Sequence, residues 1–361
     1  MTATASALAC HGCANRGESL IQLGVSPGRW DYLIALAGNP NTGKSTIFNA
    51  LTGLRQHTGN WPGKTVTRAE GSFKHGGRTM KVVDLPGTYS LQAASTDEEV
   101  ARDFLLFGQP DVTVVVLDAT RLERNLNLAL QVLEVTDRVV VALNLMDEAR
   151  RHGIGVDPAA LSRELGVPVV PMAARQGSGM AALRDAILGV ASMALPPSPH
   201  RLKKLPAEVE AAVADVLPTI VAARPDLPNA RWVALRLLNG DAQVSRAVNS
   251  PEIEAAVRAT RWRLAPDFED RLSAAIYADA ERIVRASQVT GLRRARVDFD
   301  KHLDRLLTSR WTGFPLMILL LAVVFWLTIA GANVPSAMLA SLLVDTAHPA
   351  LKAFGAGIGL P

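Results

Sequence analysis

Six short β-rich runs alternate with stretches of helical spacing between residues 31 and 192. The runs are 32–37 (YLIALA), 64–73, 79–84, 112–118 (VTVVVLD), 139–144 (VVVALN) and 167–171 (VPVVP). Apolar residues recur three and four apart over 44–53, 97–107, 123–135, 157–165 and 179–192. Several of the strand-like runs are continuously apolar, as strands covered on both faces must be. Strand and helix in alternation predict an α/β unit over 31–194, with a mainly parallel six-stranded sheet between helices. Residues 195–205 (LPPSPHRLKKL) are Pro-rich and basic and predict a linker. Residues 206–300 are rich in Ala and Arg with helical spacing, and predict an all-α domain. Pro218, Pro225, Pro228 and Pro251 are expected to divide it into several helices. Residues 1–30 are small and polar without a period and predict a mobile tail.

The pattern changes again near the end. Residues 314–332 (FPLMILLLAVVFWLTIAGA) carry no charge, and Thr328 is their one clearly polar side chain. As one helix they would measure roughly 28 Å, against roughly 30 Å for a bilayer core. The run predicts a transmembrane helix, with a buried core helix as the alternative. Residues 333–361 remain apolar, but Asp345, His348, Lys352, Gly355 and Gly357 interrupt them. They predict a lumenal or interfacial segment, or the start of a second span.

Charge then fixes an orientation. The 361-residue chain carries a net charge of +4. Arg282, Arg285, Arg293, Arg294, Arg296, Lys301, Arg305 and Arg310 stand against Glu281, Asp298, Asp300 and Asp304, an excess that equals the whole net charge. This block, with its juxtamembrane part at 301–313, directly precedes the apolar run. By the positive-inside rule it predicts that residues 1–313 lie in the cytoplasm. Hydrophobic residues at 48% and charged residues at 20% exclude a disordered chain. Two cysteines exclude a disulfide-built fold.

The candidate chemistry begins at Gly38-Asn39-Pro40-Asn41-Thr42-Gly43-Lys44-Ser45, followed by Thr46. The spacing G-x-x-x-x-G-K-[ST] between a strand and a helix is that of a phosphate loop. Glycines turn backbone N–H groups toward phosphate oxygens, Lys44 reaches the β- and γ-phosphates, and the Ser45 hydroxyl is placed to bind Mg²⁺. Asp84-Leu85-Pro86-Gly87 closes a strand, with Asp84 suited to hold Mg²⁺ through water and the Gly87 N–H to sense a γ-phosphate. Asn144-Leu145-Met146-Asp147 closes another. The Asp147 carboxylate can accept from guanine N1–H and N2–H₂, a donor pair adenine lacks. Three motifs in this order, each at a strand's carboxyl end, predict a Ras-like P-loop GTPase with GTP and Mg²⁺ as ligands. Leu145 stands where such motifs usually carry Lys. Ala173, Ala174 and Arg175 form a loop placed to meet guanine O6 through backbone N–H groups, with Ala173 in place of the usual Ser.

Between the phosphate loop and the next strand lies Gly59-Asn60-Trp61-Pro62-Gly63-Lys64-Thr65. A Thr here is expected to coordinate Mg²⁺ when GTP is bound. Thr65 is the first choice, with Thr58 and Thr67 as rivals. After D-x-x-G come Thr88 and Tyr89, where many GTPases place a water-orienting Gln. Slow intrinsic hydrolysis is therefore expected. The Asn41 amide oxygen offers a place for a monovalent cation beside the phosphates; the alternative is that it only supports the loop.

These segments resemble the ferrous iron transport protein B (FeoB) family. The likeness is carried by GNPNTGKSTIFNALTG (38–53), GNWPGKTV (59–66), DLPGTYSL (84–91) and NLMD (144–147). It continues through RWVALRLLNGD (231–241), IYADAERIV (276–284) and LDRLLTSRWTGFPLMILLL (303–321), covering about residues 31–335. The resemblance implies potassium-stimulated hydrolysis involving Asn41, a bacterial inner-membrane location and Fe²⁺ as the transported ion. Such proteins carry a multi-helix membrane domain, so one clear span implies a truncated or split member, with a separate transmembrane pore chain or self-association.

Cys10-His11-Gly12-Cys13 gathers two thiols and an imidazole, three ligands for a metal or a dithiol pair, or else belongs to an unstructured tail. His75, His152 and His302 are expected at the surface or in packing. A ribosome-associated GTPase is the competing class, but no KH-type GXXG loop and no basic–aromatic sheet accompany these motifs, so nucleic acid is not expected as a partner. A membrane-anchored adaptor that binds GTP with negligible hydrolysis is the other alternative.

Overall fold

The computed structural model of the chain describes residues 20–26, 28–53, 56–92, 95–195, 200, 207–225, 227, 229–264, 268–289, 307, 309 and 312–357. Its centre is a sheet whose middle strands are buried along nearly their whole length: β1 (Tyr32–Gly38), β5 (Val112–Asp118) and β6 (Val139–Asn144). These are the continuous apolar runs, and they pair in parallel. β4 (Arg78–Asp84) pairs in parallel with β1 on the other side, and β7 (Val169–Pro171) with β6.

The sheet has seven strands, not six, in the order β2-β3-β4-β1-β5-β6-β7. The additional strand is β2 (Gln56–Asn60), which pairs antiparallel with β3 (Thr67–His75). Its sequence, QHTGN, has no apolar pattern, and it forms one edge of the sheet. β3 in turn pairs antiparallel with β4, so this half of the sheet is a meander.

Alternate residues of each central strand feed two cores. Ile34, Leu36, Val114, Val116, Val140 and Ala142 pack with α1 (Lys44–Thr52) and α6 (Met180–Ala191). Leu33, Ala35, Val115, Leu117, Val141 and Leu143 face the larger core on the other side. That core holds α2 (Thr96–Asp103), α3 (Leu122–Val135) and α5 (Pro158–Leu165). The helix predicted over 97–107 passes at Phe104 into a buried π-helical turn, Phe104–Gly108. A short α4 (Met146–Arg151), which the pattern did not predict, follows β6 directly.

Helix entries follow local chemistry. Ser95, Asp157, Asn229 and Ser250 each accept a backbone N–H in the first turn of the helix they open. Pro158 and Pro251 occupy first-turn positions where no N–H is needed.

The larger core does not stop at the α/β unit. It continues through α7 (Ala207–Ala223), α8 (Ala230–Leu238), α9 (Ala242–Val248), α10 (Pro251–Arg261) and α11 (Phe268–Ser287). α7 runs through Pro218, so that proline does not divide the domain as expected. Residues up to Arg293 form one compact unit. Ile276, Ala280, Ile283 and Val284 of α11 lie in the same core as Leu126, Leu130 and Leu161. Backbone bonds from Asp157 to Ser287 (2.8 Å) and from Val289 to Gly155 (3.0 Å) stitch the end of α11 to the α/β unit.

The predicted mobile tail is packed over its last third. Leu20 and Val25 are buried in the larger core, and the Ser26 N–H donates to Glu70 while its carbonyl accepts from Lys81. Cys10, His11 and Cys13 lie outside the described residues. Of the linker only Leu195 and His200 are described, and His200 pairs with Asp279 of α11. The block 301–313 is described only at 307, 309, 312 and 313, and His302 not at all.

The second unit is residues 294–361. Its apolar run is not one helix. α12 (Gly313–Trp326) gives way to a π-helical turn, Leu327–Gly331, then α13 (Ala332–Ala340), a further π-helical stretch and α14 (His348–Gly357). Among the described residues no helix is long and apolar enough to cross a membrane. The α-helical part of the expected 314–332 helix stops at Trp326, 14 residues or about 21 Å, and the chain goes on as a π-helical turn. Its large side chains, from Phe314 to Trp326, are mostly solvent-facing.

A buried ionic cluster joins α2 to the start of α9. The Arg102 and Arg236 guanidiniums both donate to Asp241, at 3.0 and 2.8 Å, and the three side chains are 1%, 8% and 6% exposed. Burial opposes ionisation of Asp241, yet the Val244 N–H, Arg236 and the charge of Arg102 hold its carboxyl below the usual range. Asp241→Asn takes the carboxylate from buried Arg236 and leaves Arg102 with Asp103. It is expected to lower stability by about 3 kcal/mol in urea titrations near neutral pH. Because the folded-state pKa is depressed, that stabilisation is present above the ordinary carboxylate pKa. The deficit of the variant should therefore shrink as acid titrates Asp241 itself.

Candidate nucleotide site

Four loops meet at the carboxyl ends of β1, β4, β6 and β7. The first leaves β1 at Gly38 and enters α1 at Lys44. Asn41 (φ 65°) and Gly43 (φ 85°) take left-handed backbone conformations, which turn the loop back on itself. The Thr42 hydroxyl, buried, donates to the Asn39 carbonyl at 2.9 Å. Gly43 is required for a second reason: a Cβ there would lie 2.3 Å from the Asn144 side-chain nitrogen.

Asn144 is the joint between loops. Only 1% exposed, it donates to the Thr42 carbonyl at 2.9 Å and accepts from the Ala174 N–H at 3.0 Å. One carboxamide thus ties the phosphate loop, the end of β6 and the loop 173–178 together. Leu145 (φ 61°) makes the sharp turn into α4, and the Met146 N–H donates to the Met172 carbonyl at 3.1 Å. Asp147 then falls in the first turn of α4, where its carboxylate meets the Gln176 amide at 2.9 Å and Arg151 at 3.7 Å.

Lys44 and Asp84 are brought into a salt bridge, both side chains largely buried. Burial raises the Asp84 pKa, and the Lys44 charge and hydrogen bond act against that rise. Ser45 and Thr46 are exposed in the first turn of α1, which has no side-chain cap. The open N-terminus with nearby glycine-rich backbone is an anion-binding arrangement. Asn39 is only 2% exposed, and neither polar atom of its side chain has a partner.

The D-x-x-G segment lies against this loop. The Thr88 N–H donates to the Gly38 carbonyl at 3.3 Å, and a Cβ on Gly87 would sit 3.3 Å from the Pro40 backbone. Thr88 is 4% exposed, turned away from solvent. Tyr89 is partly exposed beneath the Arg124 guanidinium at 4.3 Å. Beyond it the chain is held firmly. The Leu91 N–H donates to Gln131 at 2.8 Å, Gln131 donates to Asn127 at 3.2 Å, and the Gln92 carbonyl accepts from Arg236 at 3.1 Å. Gln92 also donates to Ser273 of α11 at 3.1 Å.

The loop carrying Gly63, Lys64 and Thr65 is a turn closed by Trp61 N–H to the Val66 carbonyl at 2.9 Å. It is pinned to α2 by Lys64–Glu99 at 2.6 Å and by Trp61, edge-on to Phe104 at 5.6 Å. Thr65 lies exposed in that turn, whereas Thr58 and Thr67 sit on the paired strands β2 and β3. Ala173 and Ala174 are buried, and Arg175 is exposed. His75 is a surface residue paired with Asp185. Among the described residues no group of three His, Cys, Asp or Glu side chains is gathered to hold a metal.

Several participants escaped the motif reading. Gln176 lies one residue past the loop it identified. Gln131 and Asn127 were signalled only by two polar side chains, four apart, inside an otherwise apolar helix.

Comparison with known proteins places this site. Residues 32–187 match the family model described as ferrous iron transport protein B, and residues 206–289 match the FeoB cytosolic helical domain. The Fe(2+) transporters FeoB of Shigella flexneri and of Escherichia coli (strain K12) are each 36% identical over 302 residues, 82% of this chain and 38% of theirs. The chain thus spans well under half the length of these curated relatives. The solved cytosolic domain of L. pneumophila FeoB is 33% identical with a TM-score of 0.64, covering 72% of this chain and 100% of that one. A mutant of S. thermophilus NFeoB bound to GDP gives 33% identity, a TM-score of 0.63 and the same coverages. The fold is that of a P-loop GTPase followed by a helical domain, and the chain belongs to the ferrous iron transport protein B family.

Proposed function

We propose that this chain binds and hydrolyses GTP as the cytosolic regulatory part of a bacterial ferrous iron uptake transporter. The observation that carries the reading is the Asn144 bridge. It holds the phosphate loop, the Asp147 turn and the Ala173–Arg175 loop in one frame, so that one ligand can meet all three. Gly38, Asn39, Pro40, Asn41, Thr42, Gly43, Lys44, Ser45 and Thr46 take the phosphates through backbone N–H groups and the Lys44 charge. Asp147 reads guanine, with Leu145, Met146, Ala173, Ala174 and Arg175 around the base.

The Ser45 hydroxyl and the Asp84 carboxylate are hard oxygen donors of the kind Mg²⁺ takes, and Thr65 is the third by this reading. When bound, Mg²⁺ supplies charge neutralisation across the β- and γ-phosphates. Lys44 then leaves Asp84 for phosphate, and Leu85, Pro86 and Gly87 shift with that exchange. Gly63 and Lys64 let the turn bearing Thr65 close. The Asn41 amide oxygen would hold K⁺, which would supply positive charge to the transition state.

The reading extends to the rest of the chain. Residues 1–313 are cytoplasmic, and 314–332 enter the inner membrane. Fe²⁺ is the transported ion by this reading. GTP orders 59–67 and 84–98, and the anchoring of Leu91 and Gln92 on Gln131, Arg236 and Ser273 supports transmission of that ordering into the helical domain. Buried Thr88 favours a second reading, a GTP-binding adaptor with negligible hydrolysis, because its side chain is not offered to water.

Three measurements test this. Lys44→Ala should weaken GTP binding by about a hundredfold or more in equilibrium titrations, since it removes a charge-assisted contact and leaves Asp84 buried without its cation. Asp147→Asn should move preference from guanine toward xanthine nucleotides by about two orders of magnitude; unchanged guanine selectivity would remove Asp147 from the base site. Single-turnover hydrolysis in K⁺ and then Na⁺ separates the enzyme from the adaptor. The wild type should hydrolyse about tenfold faster in K⁺, and Asn41→Ala should keep GTP bound but abolish that difference.

A further inference from the structure

Asp147 already holds a hydrogen-bond donor. The Gln176 amide nitrogen donates to Asp147 Oδ2 at 2.9 Å, and Arg151 approaches the same oxygen at 3.7 Å. Gln176 reaches it because the loop behind is a closed turn. The Ala173 N–H donates to the Ser178 carbonyl at 3.2 Å, and the Gln176 N–H to the Ala173 carbonyl at 2.9 Å. Gly177 (φ 72°) then ends the turn in a left-handed conformation. The turn is itself fixed to the β6 end by Ala174 and Asn144. Gln176 is thus presented to Asp147 by a rigid support.

A primary amide N–H₂ on a carboxylate oxygen is the interaction that a guanine amino group would make. We propose that Gln176 is a displaceable stand-in for the base, a residue that sets guanine-nucleotide affinity and exchange by occupying Asp147 when no base is there. The inference rests on the reading of Asp147 as the guanine acceptor. An incoming base competes with Gln176 for Asp147 Oδ2. The lost bond is subtracted from the gain, so guanine nucleotides bind less tightly and leave sooner than the pocket's contacts alone allow. Leaving is assisted because Gln176 re-forms its bond as the base withdraws. A ligand with phosphates but no base does not reach Asp147 and is indifferent to Gln176.

The test uses the full chain in detergent, with methylanthraniloyl-GDP as the fluorescent probe and tripolyphosphate as the base-free probe. Gln176→Ala and Gln176→Leu both remove the donor, and the second keeps most of the volume. Each should tighten methylanthraniloyl-GDP binding by about three- to tenfold, the worth of one net hydrogen bond, with slower dissociation in stopped flow. Tripolyphosphate affinity, measured by calorimetry, should not change. Unchanged or weaker GDP binding in both variants overturns the proposal. An equal shift for tripolyphosphate also overturns it, because the loop would then act on the whole site. If the wild type shows no preference for methylanthraniloyl-GDP over the adenine analogue, the guanine reading of Asp147 falls, and this inference falls with it.

Discussion

The Asn144 carboxamide is the constraint from which the geometry of the site follows. A buried amide is costly unless its donor and its acceptor are both matched. Here both are, and by backbone groups from two different loops. Backbone partners fix the positions of Thr42 and Ala174 relative to the β6 end regardless of which side chains those loops carry. The bridge also explains a residue that is not part of it. Gly43 must lack a Cβ because the Asn144 nitrogen occupies the space a Cβ would take. A motif usually read as glycine for phosphate is here also glycine for asparagine.

Around that frame, two acidic side chains are satisfied by the chain itself. Asp84 sits against Lys44, and Asp147 against Gln176. A carboxylate brought out of water needs a partner, and burial is already pushing the Asp84 pKa upward. The site therefore has a stable arrangement of its own rather than a set of idle charges. Asn39 is the contrasting case: buried, with neither polar atom paired, it keeps an unmet hydrogen-bonding demand at the phosphate loop.

What the sequence revealed follows from how local the determining interactions are. β1, β5 and β6 were legible because strands buried on both faces must be apolar throughout. β2 was not, because QHTGN owes its strand conformation to its antiparallel partner β3. Residues 20–26 read as tail because two apolar side chains, Leu20 and Val25, are too few to make a period. The run at 314–332 was legible as apolar, but its division at Leu327 was not. In the site, contiguous motifs were found and pairings were missed. Lys44 and Ser45 lie within eight residues of Gly38, whereas Arg102 meets Asp241 across 139 positions. Gln176 meets Asp147 across 29. Composition carries no trace of such separations.

The α/β unit and the helical domain that follows it share one continuous packing. One apolar core runs from Leu33 to Val284, so α11 cannot leave the α/β unit without exposing Ile276, Ala280 and Ile283. The polar contacts across that core are concentrated where the D-x-x-G segment ends. Gln92 meets Arg236 through its carbonyl and Ser273 through its amide, and Arg236 is held in turn by Asp241, which also holds Arg102. Every member of this chain is tied to at least one other by a hydrogen bond of 3.2 Å or less. A displacement of Leu91–Gln92 must therefore either break bonds in a low-dielectric setting or move α8 and α11 with it. Breaking them costs the buried Arg236 guanidinium one acceptor while its pair with Asp241 remains. Those contacts are what tie the end of the D-x-x-G segment to the helical domain.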